Sequence, residues 1–218
     1  MEIKFSDLDI DIPSKINDEL KSKLVRAKVK TDDGKYRPHP SGVYFYKNIP
    51  SYDGFAVMGY KEMEERLYQK IDFLSNSYLD DIKKDEFHMY LEQIEDENID
   101  WKLLWEYENP YQLHNYPGIL KEFKVKSVID VAIVLSIIRP GAIHNFDKMK
   151  KYIHTDVLLK RINNKKELKI LKDTYGIPVF EEQFRKLGIK NDKYRYKKAH
   201  AIGYAYVLLL DFIKNTMV

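Results

Sequence analysis

Residues 5 to 12 read Phe5-Ser6-Asp7-Leu8-Asp9-Ile10-Asp11-Ile12, an alternation of carboxylates with aliphatic side chains that leaves few local folds open. In a strand, alternate side chains share a face. Asp7, Asp9 and Asp11 then form an acid ladder on one side, while Leu8, Ile10 and Ile12 form an apolar stripe on the other. One account is an edge strand that uses charge to discourage aggregation. Another starts from repulsion: carboxylates this close are easier to hold together when a divalent cation neutralises them, and such hard oxygen ligands suit Mg²⁺ or Mn²⁺. Two-metal phosphoryl transfer needs carboxylates bridging ions about 3.5 to 4 Å apart. A third carboxylate is offered by Lys70-Ile71-Asp72-Phe73-Leu74, a second short apolar run. On a strand beside the first, Asp72 faces the same ions.

A chain of 218 residues, 44 % apolar and 33 % charged, is large enough for one domain or two small ones with a sizeable core. With no repeat or low-complexity tract, it reads as globular throughout. The absence of Cys excludes disulfides, thiolate metal ligands and a cysteine nucleophile. No signal peptide precedes the acidic strand, and the apolar stretches 127–138 and 199–213 are too short or interrupted to span a bilayer, so the expectation is a cytoplasmic protein. The net charge of +3 hides a split: residues 51–100 hold 5 Lys/Arg against 14 Asp/Glu, and residues 151–218 hold 15 against 7. A metal-binding part joined to a phosphate-binding part gives this pattern, as do solvated helix faces.

Along the chain, Ile16, Leu20, Leu24 and Val25 after Ser14 predict an amphipathic helix over about 14–28. A turn at 31–35 leads through Arg37-Pro38-His39-Pro40-Ser41 into a strand at 42–46; 54–60 is a second strand candidate, followed by a helix at 61–68. Strand, helix, then more strands is an α+β sheet layout. Residues 79–106 predict acidic surface helices, with Glu95-Asp96-Glu97 a solvated face. The apolar run 127–138, with Asp130 three residues after Ser127, predicts a buried helix opened by a capping box and closed before Arg139-Pro140-Gly141. Shorter helices are expected at 146–153, 165–174 and 180–187. The basic, aromatic segment 190–198 precedes a last helix starting near Ala199. Lys198 and His200 lie at that helix N-terminus, a ready anion site, or else simply a basic loop entering a core helix.

Seven separated fragments, in order, resemble the C-family bacterial replicative DNA polymerases, meaning the alpha subunit of DNA polymerase III and its relatives. They are Ser6-Asp7-Leu8-Asp9-Ile10-Asp11-Ile12, His39-Pro40-Ser41-Gly42-Val43, Lys70-Ile71-Asp72-Phe73-Leu74-Ser75, Tyr111-Gln112-Leu113, Ile138-Arg139-Pro140-Gly141-Ala142, the stretch from Thr174 to Gln183, and that from Tyr196 to Tyr204. The resemblance implies an α+β fold with a nucleotidyltransferase-like palm sheet at 1–78, an acidic helical connector at 79–126 and a helical, fingers-like region at 127–218. It implies that Asp7, Asp9 and Asp72 are catalytic and hold Mg²⁺ or Mn²⁺. Asp11 matches a position that some relatives fill with Asn. It also implies that Arg139, Lys198, His200 and Tyr204 serve nucleotide binding.

The sequence departs from the family at Ser6, where proline is usual. The family also has a Gly-Ser-rich segment before the acidic strand and a duplex-gripping thumb between the carboxylates; neither has a counterpart here. The expected function is therefore a minimal, metal-dependent nucleotidyltransferase that adds deoxynucleotides to a primer 3′ end. Its partners would be primer-template DNA and deoxynucleoside triphosphates, with Lys193, Arg195 and Lys197 contacting nucleic acid. A second polymerase chain or a replication accessory protein is a further partner class. The competing expectation is a non-catalytic module that binds nucleic acid or polymerase, or one chain of a split enzyme. A hydrolase using the same metals needs a water-positioning base that the sequence does not offer.

Overall fold

The computed structural model describes residues 8–46, 48–82, 89, 92, 94, 99–190 and 193–216, without the side chains of Leu8, Asp9, Asp11 and Asp81. Asp7 and the Glu95-Asp96-Glu97 run lie outside the described residues. The fold is α+β, and the chain divides into two compact units, 1–83 and 84–218.

The first unit is a six-stranded mixed sheet in the order β1-β6-β3-β2-β5-β4. Its strands are β1 (Leu8–Ile12), β2 (Val25–Lys30), β3 (Tyr36–Tyr44), β4 (Ser51–Tyr52), β5 (Phe55–Gly59) and β6 (Ile71–Ser75). Helices α1 (Ser14–Lys23) and α2 (Tyr60–Glu65) accompany it. The helix expected to run to 28 stops at Lys23, and the chain turns extended at Leu24. From Val25 the residues alternate Val, Arg, Ala, Lys, Val, Lys, a period of two that fits a pleated strand better than a helix. Ala27 then packs inward with Tyr44, Ile49, Ala56 and Met63. The lead-in 37–41 is itself part of β3. Pro38 and Pro40 are tolerated there because this half of the strand is paired with β2 alone, while β6 joins it only at Gly42 and Val43. Helix α1 is tied to β6 by buried Asn17, whose Nδ2 donates to the Phe73 carbonyl at 3.2 Å and to Ser75 Oγ at 2.6 Å.

The second unit is helical: α3 (Trp101–Trp105), α4 (Ile119–Glu122), α5 (Val128–Ile137), α6 (Phe146–Tyr152), α7 (Lys165–Leu171), α8 (Glu181–Lys186) and α9 (Lys198–Thr216). Helix α5 is buried from Asp130 onward, as a helix apolar on all sides must be, and it packs on α9. The Ser127 hydroxyl accepts the Asp130 N–H at 3.2 Å, as expected. The returning carboxylate, however, takes the N–H of Lys126, one residue earlier than in a capping box, at 3.1 Å. Among the described residues no helix is long and apolar enough to cross a membrane.

Candidate functional site

Two clusters gather the chemistry-bearing residues, one in each unit. In the sheet, β1 and β6 run parallel with Asp9 opposite Asp72 in register, so two carboxylate-bearing positions share one rung. β1 is also an edge strand, where alternating charge guards against strand addition. Asp72 is 5 % exposed. Its Oδ1 accepts the Ser41 hydroxyl at 2.9 Å, and its Oδ2 accepts the ammonium of buried Lys70. Burial alone pushes the Asp72 carboxyl up, but the hydrogen bond and charge of Lys70, with the Ser41 hydroxyl, outweigh it and hold the group below the usual carboxylate range.

Gly42 makes this pair possible: a Cβ there would stand 2.5 Å from the Lys70 Cδ, so the lysine stem needs a residue without a side chain. His39 stands 3.5 Å from Asp72 through Nδ1, the nitrogen that accepts the Gly42 N–H at 3.0 Å. Among the described residues no group of three metal-ligating side chains stands together. What the site does contain is a cation held by Asp72, beside a second carboxylate position on the same rung. Carboxylate oxygens are hard donors of the kind divalent ions take, and those of Asp72 are engaged by Lys70 and Ser41.

In the helical unit the side chain of Gln112, a residue with φ +62°, is the centre. Its Oε1 accepts Arg139 Nη2 and the Tyr196 hydroxyl, each at 2.9 Å. The Arg139 guanidinium lies 4.3 Å from the Tyr196 ring centroid, within cation–π range, and its Nε donates to the Leu135 carbonyl at 3.1 Å. Tyr196, His200 and Tyr204 form a tilted stack, with His200 4.4 Å from Tyr204 and 5.1 Å from Tyr196. The turn spacing of α9 puts positions 200 and 204 on one face. Buried His200 Nε2 has no hydrogen-bond partner among the described residues.

Burial, with the charges of Lys197 and Arg139, pushes the His200 imidazole down to about 4. It is therefore neutral at pH 7 and adds no charge to the cluster. A folded pKa below the ordinary value of 6.5 gives stability that is complete above pH 6.5 and lost as the pH falls towards 4. The loss is about 3 kcal/mol at most, from ~1.4 kcal/mol per pKa unit. Urea unfolding from pH 7 to pH 4 should narrow the stability difference between the natural chain and His200→Gln; a difference that stays constant removes His200 as the cause.

Residues 114–205 match the bacterial DNA polymerase III alpha subunit finger domain. No curated protein matches the chain. The finger-like segment holds Arg139, Tyr196, Lys198, His200 and Tyr204, and it begins two residues after Gln112. It covers neither the acidic strand nor Asp72. Over this segment the chain is similar to the finger domain of the polymerase III alpha subunit.

The remaining predicted residues fall in different settings. Lys198 Nζ pairs with Asp173 at 2.7 Å, and its backbone N–H donates to both Glu182 carboxylate oxygens at 3.1 and 3.2 Å. The helix N-terminus expected to receive a phosphate already has an internal anion, because α8 presents Glu182 to it. Lys193 is exposed. Arg195, expected on a nucleic-acid surface, is instead buried: it pairs with Glu181, donates to the Gly141 carbonyl and lies 4.1 Å over the Phe184 ring. A Cβ at Gly141 would meet its Cγ at 2.4 Å, so Arg195 packs as part of the core around that glycine. Sequence reasoning assigned no role to Gln112, Tyr196, Ser41 or Lys70. All four lie inside the fragments that carry the resemblance, and that was their available signal.

Proposed function

We propose that the protein is a metal-dependent nucleotidyltransferase related to the C-family DNA polymerases, adding deoxynucleotides to a primer 3′ end. The observation that carries this reading is the finger-domain match over the segment containing Arg139, Lys198, His200 and Tyr204. Asp7, Asp9 and Asp72 would hold Mg²⁺ or Mn²⁺, and the Asp9 to Asp72 register supports that assignment. Bound there, the metal would activate the primer hydroxyl and neutralise charge on the leaving pyrophosphate.

The chain's own residues do the rest. Arg139, held by Gln112, presents its guanidinium to triphosphate oxygens, and Lys198 adds a second cation once it exchanges Asp173 for phosphate. Neutral His200 offers Nε2 as a hydrogen-bonding atom between two tyrosine faces, and Tyr204 sets its angle. Lys193 and Lys197 contribute to holding the primer-template. A cytoplasmic setting, with the chromosome as the source of template, goes with this activity.

The Lys70–Asp72 pair favours a second reading. Lys70 neutralises Asp72 with no metal, as suits a non-catalytic module that binds nucleic acid or a polymerase chain. Primer extension with Mg²⁺ or Mn²⁺ separates the two. The natural chain should extend a primed template, and Asp9→Asn should lose about 100-fold or more, the scale for removing one group that stabilises transition-state charge. No extension by either protein, with DNA still bound, selects the binding module.

A further inference from the structure

The geometry points to a second ligand site, a cleft for single-stranded nucleic acid formed between α3 and the 124–126 segment. The cleft has a volume of about 500 Å³ and is lined by Trp101, Lys102, Trp105, Lys124, Lys126 and His154, among others. The chain contains two tryptophans, and both are here. Trp101 and Trp105 are four apart on α3, so they lie on one face of it.

The opposite wall is fixed by its backbone. Trp105 Nε1–H donates to the Val125 carbonyl at 2.8 Å, His154 Nε2 meets the Lys124 carbonyl at 2.9 Å, and the Lys126 N–H donates to Asp130. Lys124 has φ +50°, a left-handed conformation that a non-glycine residue adopts at some cost. With its main chain secured at three successive residues, the segment turns Lys124 and Lys126 outward, and both are exposed. Among the described residues neither these two ammonium groups nor that of Lys102 is in an ion pair. The single acid lining the cleft, Asp100, has one carboxylate oxygen occupied in capping α3.

Rigid indole faces beside unpaired ammonium groups suit a ligand that alternates flat rings with negative charge. A single strand of nucleic acid has that chemistry: its bases stack on aromatic rings and its phosphates pair with lysine. An acidic peptide would satisfy the lysines and leave the indoles unused. The cleft shares no lining residue with the Asp72 site or the Gln112 cluster.

The test is tryptophan fluorescence on the full chain, titrated with oligothymidylate of about eight residues, within the usual span of single-strand sites. Binding should quench the emission, in EDTA as in Mg²⁺, and equally in Asp9→Asn. The surface variant Lys124→Glu/Lys126→Glu should keep the natural melting temperature and weaken binding at least about tenfold. It should also flatten the slope of log K against log salt by roughly 1.4, that is about 0.7 for each lost phosphate contact. The proposal is overturned by an absence of quenching at low salt, or by equal affinity in the double variant. Quenching that requires Mg²⁺ or Asp9, or equally tight binding of polyglutamate, also overturns it. Failure of primer extension alone leaves the expected quenching in place, so the two readings are separately testable.

Discussion

Lys70→Met is expected to destabilise the protein by about 3 to 5 kcal/mol at pH 7, the usual cost of leaving one member of a buried ion pair unpaired. Both side chains are almost wholly inaccessible, at 6 % and 7 % exposure, so water cannot replace the lost ammonium. The pH dependence follows from the sign of the Asp72 shift. In the natural chain the carboxyl is held below its ordinary value of 3.8, so its contribution is complete above about pH 4 and is lost as the pH falls through the lowered value. In the variant, burial acts without Lys70 and pushes the carboxyl up. The deficit should then shrink towards pH 4, where a proton does what Lys70 did. Denaturant unfolding at both pH values measures this, and a deficit independent of pH would contradict it. Lys70→Met/Asp72→Leu should recover most of the loss, since no charge remains buried. Mg²⁺ that restores stability to the single variant would support metal binding at Asp72; no effect of Mg²⁺ would favour the ion pair as the site's final form.

Gln183→Leu should cost about 3 to 5 kcal/mol, because one side chain satisfies three buried partners and a part-buried one, and each unsatisfied buried group costs ~1 to 3 kcal/mol without strict additivity. Its Oε1 accepts the N–H groups of Val179 and Phe180 at 2.8 and 3.0 Å. Its Nε2 donates to the Ile170 carbonyl at 3.0 Å and the Thr174 hydroxyl at 2.8 Å. Gln183→Glu keeps the acceptor and loses the donor, so it should also destabilise, by placing a carboxylate against the Ile170 carbonyl. Thermal melts of the three proteins check the ranking, and a melting temperature of Gln183→Leu within a degree or so of the natural chain would refute it. The helices joined here precede the segment carrying Tyr196, so loss of this hub should also release the constraint on the aromatic stack.

Much of the sheet could be read from the sequence, and the reason is local. Acid–aliphatic alternation at 8–12 and the short run 71–75 state their period within five residues, and the β1 and β6 bounds follow. The α5 helix was equally legible, since a continuous apolar run opened by Ser127 has few alternatives. Misreadings arose where a short pattern served two periods. Val25 continues the apolar face of α1 and also begins β2, and the pairing of β2 with two neighbouring strands decides for the strand. The α+β class was recoverable; the β1-β6-β3-β2-β5-β4 order was not, because register depends on partners distant in the chain.

The sites show the same division. The resemblance singled out Arg139, His200 and Tyr204, but it did not point to the junction of Arg139 and Tyr196 at Gln112, 27 positions before Arg139. Arg195 was misplaced because charge in a basic, aromatic stretch looks the same whether it faces solvent or a glycine. The space over Gly141 made the difference.

The parallel pairing of β1 with β6 has a consequence for the order of folding. Leu8 meets Ile71 across 63 intervening steps of chain, whereas β2 and β3 meet through one tight turn. Closure of the longer loop costs more entropy and gains little until the strands between are in place. Loop-closure entropy therefore predicts that Asp9 and Asp72 come into register late, after β3 has supplied Ser41 and the gap at Gly42 through which Lys70 reaches. The nascent chain is spared a confrontation of like charges while its sheet is still incomplete, and the acid rung is assembled only onto a scaffold already able to neutralise it.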